Sequence, residues 1–240
     1  FSVWRTQDWG GDQGYLEAHC LEFTTSAAAP GCGDFVRIGP PGATDLGASA
    51  ADYRGTSRSG GAVAWIARAP QDTGTIWAAT SSGRVFISDN ADAAAASVVW
   101  HRVDPVGTTD PTRVISAIYV DPTNAHHAWI SYSGYNVNTP TRPGHVFEVT
   151  WTGSGAATWA DRSYNLPDFP ATAVVRDDVT GDLYAASDFG VMRLASAATT
   201  WTVAGTGLPM VEVPGLTIIP GARLLYAATH GRSAWSLQLP

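Results

Sequence analysis

Thr75-Ile-Trp-Ala-Ala-Thr80 is followed after a glycine turn by Gly83-Arg-Val-Phe-Ile-Ser88, and this pair of segments recurs along the chain. The aromatic residue at the centre of the first segment returns at Trp129, Tyr184 and Tyr226, with successive spacings of 52, 55 and 42 residues. Such a period, with four short apolar segments in each copy, is typical of propeller blades. We therefore predict an all-β fold, a β-propeller of four-stranded antiparallel blades.

The repeats divide the chain into about four to five blades. The predicted units are a partial blade with a disulfide loop (1–40), an irregular connection (41–62), blades at 63–104, 113–163 and 171–204, and a partial final blade (211–240). The chain is then one propeller or the C-terminal part of one. Its first and last segments both have the pattern of a third strand, which leaves strand edges open. Because folded proteins cover such edges, we expect further polypeptide to complete the propeller.

Packing between blades explains the composition of the repeat. Small residues beside the central aromatic residue allow neighbouring sheets to approach closely. A tryptophan recurs in the predicted fourth strand, at Trp100, Trp159 and Trp201. We predict that these three side chains pack between blades, where truncation to alanine would cost about 3–5 kcal/mol for a fully buried ring.

The overall composition agrees with short strands and excludes some partners. The 240 residues include 25 glycines and 15 prolines, and the hydrophobic fraction of 45% is ample for a core. The formal net charge is −7, without clusters of basic residues, which argues against a nucleic-acid partner. No apolar run approaches the roughly 20 residues needed to span a bilayer, so no membrane insertion is predicted.

Cys20 and Cys32 lie in a stretch rich in glycine, proline and alanine, with no other metal-ligand residue types at suitable spacing. A local disulfide is favoured over two free thiols. It would imply an oxidising compartment, and the protein is therefore expected to be secreted.

Two further segments resemble a known family. Thr6-Gln-Asp8-Trp-Gly10 resembles the Asp-box turn of sialidase-type (BNR) repeats, and Ser88-Asp-Asn90 resembles a degenerate copy. The closing stretch from Gly207 to Trp235 is similar to the last blade of secreted bacterial BNR-repeat, sortilin-like and xyloglucanase-like propellers. The resemblance implies structural turn roles for Thr6, Asp8, Gly10, Ser88 and Asn90. It describes architecture well and activity poorly, since one fold carries many functions.

Candidate binding residues lie in loops. The longest polar and aromatic loop follows the second blade's aromatic strand, and its candidates are Tyr132, Tyr135, Asn136, Asn138, Arg142 and His145. Turns after the next two aromatic strands add Asp188, His230 and Arg232. Aromatic faces with amide hydrogen bonds suit a glycan, and scaffold loops commonly carry recognition. The alternatives are a plain long loop and ordinary turn chemistry.

Catalytic and metal motifs are missing from the sequence. His126 and His127 are adjacent, so in a strand their side chains would diverge, and a solvated turn is the better interpretation. No metal site and no cofactor are predicted. The favoured function is a binding module for glycan or protein. The alternative is part of a glycoside hydrolase, with the two carboxylates that such an enzyme needs completed by absent segments.

Overall fold

The computed structural model describes residues 3–19, 33–39, 62–105 and 109–240. Cys20 and Cys32 lie outside these ranges, and so does nearly all of the predicted connection at 41–62. The disulfide stays a prediction.

The described residues form seventeen strands and one short α-helix, α1 (Gln13–His19). The strands are β1 (Trp4–Arg5), β2 (Val36–Arg37), β3 (Val63–Arg68), β4 (Ile76–Thr80), β5 (Val85–Ser88), β6 (His101–Arg102), β7 (Ile115–Val120), β8 (His127–Tyr132), β9 (Val146–Thr150), β10 (Thr158–Asp161), β11 (Ala171–Arg176), β12 (Leu183–Ser187), β13 (Gly190–Leu194), β14 (Trp201–Val203), β15 (Gly215–Ile219), β16 (Leu224–Ala228) and β17 (Ala234–Gln238).

These strands form antiparallel sheets in simple meander order. β3–β6, β7–β10 and β11–β14 are four-stranded sheets, here called blades one, two and three, and β15–β17 form the three-stranded blade four. β1 and β2 pair with each other as a half-blade. The predicted all-β propeller of four-stranded antiparallel blades is confirmed, and the four blades with the half-blade agree with the predicted four to five.

The first strands of blades one, two and three share one irregularity. Each has a register shift against its second strand, between Val63 and Trp65, Ile115 and Ala117, and Ala171 and Ala173. A bulge of this kind increases the local twist of the strand. The recurrence at one position of the repeat shows that the three blades are built alike, whereas β15 pairs with β16 without a shift.

The core lies between successive blades. First strands pack in the order β3, β7, β11 and β15. The buried cluster between blades one and two includes Trp77 and Ile118, and the cluster running from blade two to blade four includes Trp129 and Tyr184. Within the described ranges no packing of similar extent joins β15 to β3, so these blades form an arc.

One backbone hydrogen bond fixes the phase of the half-blade. The amide that follows each fourth strand donates to a valine carbonyl of the third strand. The four bonds are Ile38 N to Val3 O (3.1 Å), Val103 N to Val85 O (2.9 Å), Arg162 N to Val146 O (2.8 Å) and Ala204 N to Val191 O (2.9 Å). β1 and β2 are therefore a third and a fourth strand, as the sequence predicts.

The fourth-strand tryptophans connect each blade to the one before it. Their indole Nε1 groups donate to the carbonyls of Ile38 (3.1 Å, from Trp100), Val103 (2.7 Å, from Trp159) and Arg162 (2.8 Å, from Trp201). The predicted packing between blades is confirmed. Only Trp201 is fully buried, whereas Trp100 and Trp159 are half-buried, so the full predicted truncation cost applies to Trp201 alone.

Candidate functional site

One end of the strands gathers most of the predicted binding residues. In each meander the first strand begins, the second ends and the third begins at the same end, which we call the upper face. Its largest element is the loop between β8 and β9, residues 133–145, whereas the corresponding turns at 81–84, 188–189 and 229–233 are short. The upper face of blade two therefore differs from that of the other blades.

Arg113 anchors this long loop from the segment that leads into β7. Its side chain is buried, and Nη1 donates to the carbonyl of Gly134 at 2.6 Å while Nη2 donates to the carbonyl of Gly144. One guanidinium thus bonds both ends of the loop. At Gly144 φ is +121°, and a Cβ would lie 2.5 Å from the Phe147 ring, so only glycine fits this turn.

Asn136 and Asp168 connect the loop to blade three. The Asn136 side-chain oxygen accepts the amide of Gly144 at 2.9 Å, and its own backbone amide donates to the Asp168 carboxylate at 2.7 Å. Asp168 lies in the connection that leads into β11. The loop is thus held by side chains from two neighbouring segments of the upper face.

His145 is the last residue of the loop, and its side chain is buried. Its Nε2 is 3.1 Å from the Asp168 carboxylate, and its Nδ1 has no partner among the described residues. Burial, and next the Arg113 charge, lower the pKa of His145. We infer a neutral ring that donates from Nε2 to Asp168 and so fixes the end of the loop.

Tyr132 is also fully buried, which removes it from the predicted ligand contacts. Its hydroxyl lies 3.3 Å from the Asp110 carboxylate and 3.5 Å from the Gly83 carbonyl of blade one. Burial raises the pKa of Asp110 to about 7. This tyrosine therefore belongs to the interface of blades one and two, where its ring also contacts Phe147 edge-on at 5.5 Å.

The accessible part of the loop borders a cleft of about 420 Å³. Its lining combines hydroxyl, amide and guanidinium groups with small apolar surfaces: Ser81, Thr112, Arg113, Val114, Ser133, Gly134, Asn138, Thr139, Pro140, Thr141 and Arg142. Among these lining residues there is neither a carboxylate nor an aromatic ring. The arrangement can donate and accept many hydrogen bonds and favours negative over positive charge.

The remaining predicted residues do not line this cleft. Tyr135 is exposed to solvent. Asp188 lies in the turn between β12 and β13, and His230 and Arg232 lie in the turn between β16 and β17. The His230 ring is exposed and bonds Glu212 at 3.0 Å, which ties its turn to the preceding connection.

The Asp-box-like segments act in turns. The Thr6 hydroxyl accepts the amides of Asp8 (3.2 Å) and Gly10 (2.7 Å) and donates to Asp34 (2.5 Å). The carboxylate in this turn is therefore that of Asp34, whereas the Asp8 side chain makes no hydrogen bond within the described ranges. The Asn90 side chain accepts Val99 N at 2.8 Å and donates to Ser97 O at 3.0 Å.

Sequence reasoning missed Arg113, Asp168 and the cleft residues Ser81 and Thr112. They come from three separate connections, and no motif marks them. Their only signal is position, since each lies just before a first strand or just after a second strand, where the upper face must form.

A second polar cluster extends along blade two from His127, at the opposite end of the strands. His127 bonds Asp121 at 2.9 Å and Glu148 at 2.7 Å, and Arg162 bonds Glu148 at 2.7 Å. His127 begins strand β8, so the predicted solvated turn is wrong for this residue. No group of three or more potential metal ligands occurs within the described ranges.

In the described part of the chain, no helix is both long enough and apolar enough to cross a bilayer. A scan against protein-family models finds no match to the sequence. A search of curated proteins likewise finds no matching relative.

Proposed function

We propose that this chain is a secreted binding module of the Asp-box propeller type, and that the cleft beside loop 133–145 binds a glycan. The observation that carries the proposal is the lining of this cleft, in which hydroxyl, amide and guanidinium groups converge on a space of about 420 Å³. A cavity of this size suits one or two sugar rings. The Thr6–Gly10 and Ser88–Asn90 turns support the repeat type.

The chemistry of the lining supports a polar, acidic sugar. Recognition would rest on hydrogen bonds to hydroxyl groups, because no aromatic ring of the lining offers a stacking surface. Arg142 contributes a guanidinium group and no lining residue contributes a carboxylate, whereas the buried Arg113 already donates from both terminal nitrogens to loop carbonyls. Carboxylate or sulfate groups pair well with guanidinium, so such groups on the sugar would strengthen binding.

Hydrolysis is the less favoured function because the cleft lining has no carboxyl group. A glycosidase needs two carboxyl groups that flank the scissile bond, roughly 5–10 Å apart. The cleft lining includes neither aspartate nor glutamate. The resemblance to sialidase-like and xyloglucanase-like propellers therefore supports shared architecture more than shared catalysis.

A glycan array followed by calorimetry on the best ligand tests the proposal. We expect uronate-containing or sulfated glycans to bind, and Arg142→Ala or Asn138→Ala to weaken binding at least about tenfold, which is roughly 1.4 kcal/mol. Arg232→Ala is the matched control, since it removes an arginine of the upper face outside the cleft. Equal affinity in all three variants, or release of the aryl group from aryl glycosides, would contradict it.

A further inference from the structure

The side of blade one that faces the half-blade is only partly covered. Its outer part packs against the half-blade, where Val3 and Ile38 contact Ala78 and Val98 in one buried cluster. Its inner part includes Ile66 of β3, which is 49% exposed. We call this inner part the leading face of blade one.

Equivalent positions of the repeat show how such a face is covered elsewhere. Ile118 of blade two and Val174 of blade three correspond to Ile66, and they are 5% and 2% exposed. Ile118 lies in one cluster with Trp77 of blade one, and Val174 lies in one cluster with Trp129 of blade two. The inner strands of the preceding blade, with their central aromatic residue, thus cover this face.

The half-blade offers a matching strand edge. β1 is a third strand and pairs with β2, and among the described residues no second strand pairs with its other edge. In blades one to three that edge of the third strand pairs with the second strand. A first and a second strand added to the half-blade would cover the leading face of blade one and would also pair with the free edge of β1.

We propose that a β-hairpin of additional propeller polypeptide, beyond residues 1–240, docks here as the first and second strands of the half-blade. It pairs with β1 and covers Ile66 with the aromatic residue at the centre of its second strand. The repeat sets its chemistry, namely an apolar first strand and a second strand in which small residues follow the aromatic one.

A second copy of the chain does not fit this place. The hairpin that a copy could present is β15–β16, and its outer edge is already paired with β17. β17 is a third strand, so it would compete with β1 for a single position. The occupant is therefore a hairpin without a third strand of its own.

The phase of the repeat gives a direct test. Val3 corresponds to Val191, so the hairpin of blade three, residues 171–188, can be fused directly before Phe1 and enters β1 in register. The fused chain should melt at least about 5 °C above the original chain. Hydrogen exchange at the Trp4 amide should slow at least about tenfold, because Val3 and Arg5 are the residues that face β2, and Trp4 between them points to the edge of β1 that gains a partner strand.

A control fusion has Tyr184→Asp within the added segment, and it should lose most of both effects. Equal melting temperatures of the two fusions, or unchanged exchange at Trp4, would overturn the proposal. Ile66→Asp in the original chain tests the face without any fusion. A shift of less than about 2 °C supports an uncovered face, whereas a large loss of stability, or a dimer that this variant dissociates, overturns the proposal.

Discussion

Trp77, Trp129 and Tyr184 are 0%, 5% and 1% exposed, whereas Tyr226, at the same position of blade four, is 40% exposed. The strands around these residues are alike, with small neighbours and the same pairing. The difference in exposure arises because another blade packs against each of blades one, two and three, whereas blade four is the last described blade. Burial in this fold is thus a property of the interface between blades, and one blade alone protects only one side of its sheet.

The largest expected effect comes from the aromatic position itself. Trp77→Ala should lower the free energy of unfolding by about 3–5 kcal/mol, because the ring is fully buried and its Nε1 donates to Ala125 O at 2.8 Å. Tyr226→Ala should cost about 1 kcal/mol or less. Urea denaturation followed by circular dichroism measures both. Similar losses for the two variants would break the comparison.

The first strands offer a second matched pair. Ile118→Ala should cost about 2–5 kcal/mol because Ile118 is buried against blade one. Ile66→Ala should stay within about 0.5–1 kcal/mol, as usual for an exposed side chain. Calorimetry of the two variants compares the same substitution inside and outside an interface. A larger loss for Ile66→Ala would reverse the assignment of the faces.

A buried carboxyl group weakens one interior interface at high pH. Asp110 lies between blades one and two, where burial raises its pKa to about 7 from an ordinary value of 3.8. Between these values the folded state binds more protons than the unfolded state, so this group lowers stability as pH rises through the window. Asp110→Asn should therefore stabilise the protein by about 2–3 kcal/mol more at pH 8 than at pH 5.

Urea denaturation of the Asp110→Asn variant and of the original chain at both pH values measures the difference in their free energies of unfolding. The other titrating groups are common to both proteins, so the pH dependence of this difference reports on Asp110. A benefit that is equal at pH 5 and pH 8 would show that Asp110 is ionised in the folded protein.

The smallest expected effect concerns an ion pair between blades three and four. Arg223 bonds Asp177 with Nη2 to Oδ2 at 2.7 Å and lowers the pKa of that carboxyl group to about 2. Because the folded pKa is depressed, the stabilisation is present above about pH 4 and is lost as pH falls towards 2. Arg223→Ala should lower the urea midpoint at pH 7, and the difference should shrink at pH 3.

Arg232→Ala is the control for this experiment, because Arg232 is exposed in a turn of the same blade. If Arg223→Ala lowers the urea midpoint by the same amount at pH 7 and pH 3, Arg223 stabilises the protein through side-chain packing instead of charge.

The blades could be predicted from the sequence alone, because the repeat period and the aromatic residue at the centre of each second strand are visible in short segments. Even the third-strand phase of the half-blade could be predicted from the similarity of its segments to those of other blades. Burial was harder to predict. Tyr132 was expected on the ligand face, yet it is buried because the turn of blade one and Asp110 close over it.

The candidate site was predicted only as a loop. Its shape depends on Arg113, which bonds residues 21 and 31 positions away, and on Asp168, which is 32 positions from Asn136. Such contacts join segments that are distant in sequence, so no local sequence pattern predicts them. The same holds for Asp34, whose carboxylate, 28 positions away in sequence, bonds the Thr6 turn in place of the expected Asp8.

The indole hydrogen bonds of the fourth-strand tryptophans all point one way along the chain. Trp100, Trp159 and Trp201 each donate to a carbonyl of an earlier blade. During synthesis from the N-terminus, the acceptor of each bond therefore leaves the ribosome before its donor. Each of these three blades therefore meets the acceptor of its tryptophan already made, so this contact can form in the order of translation.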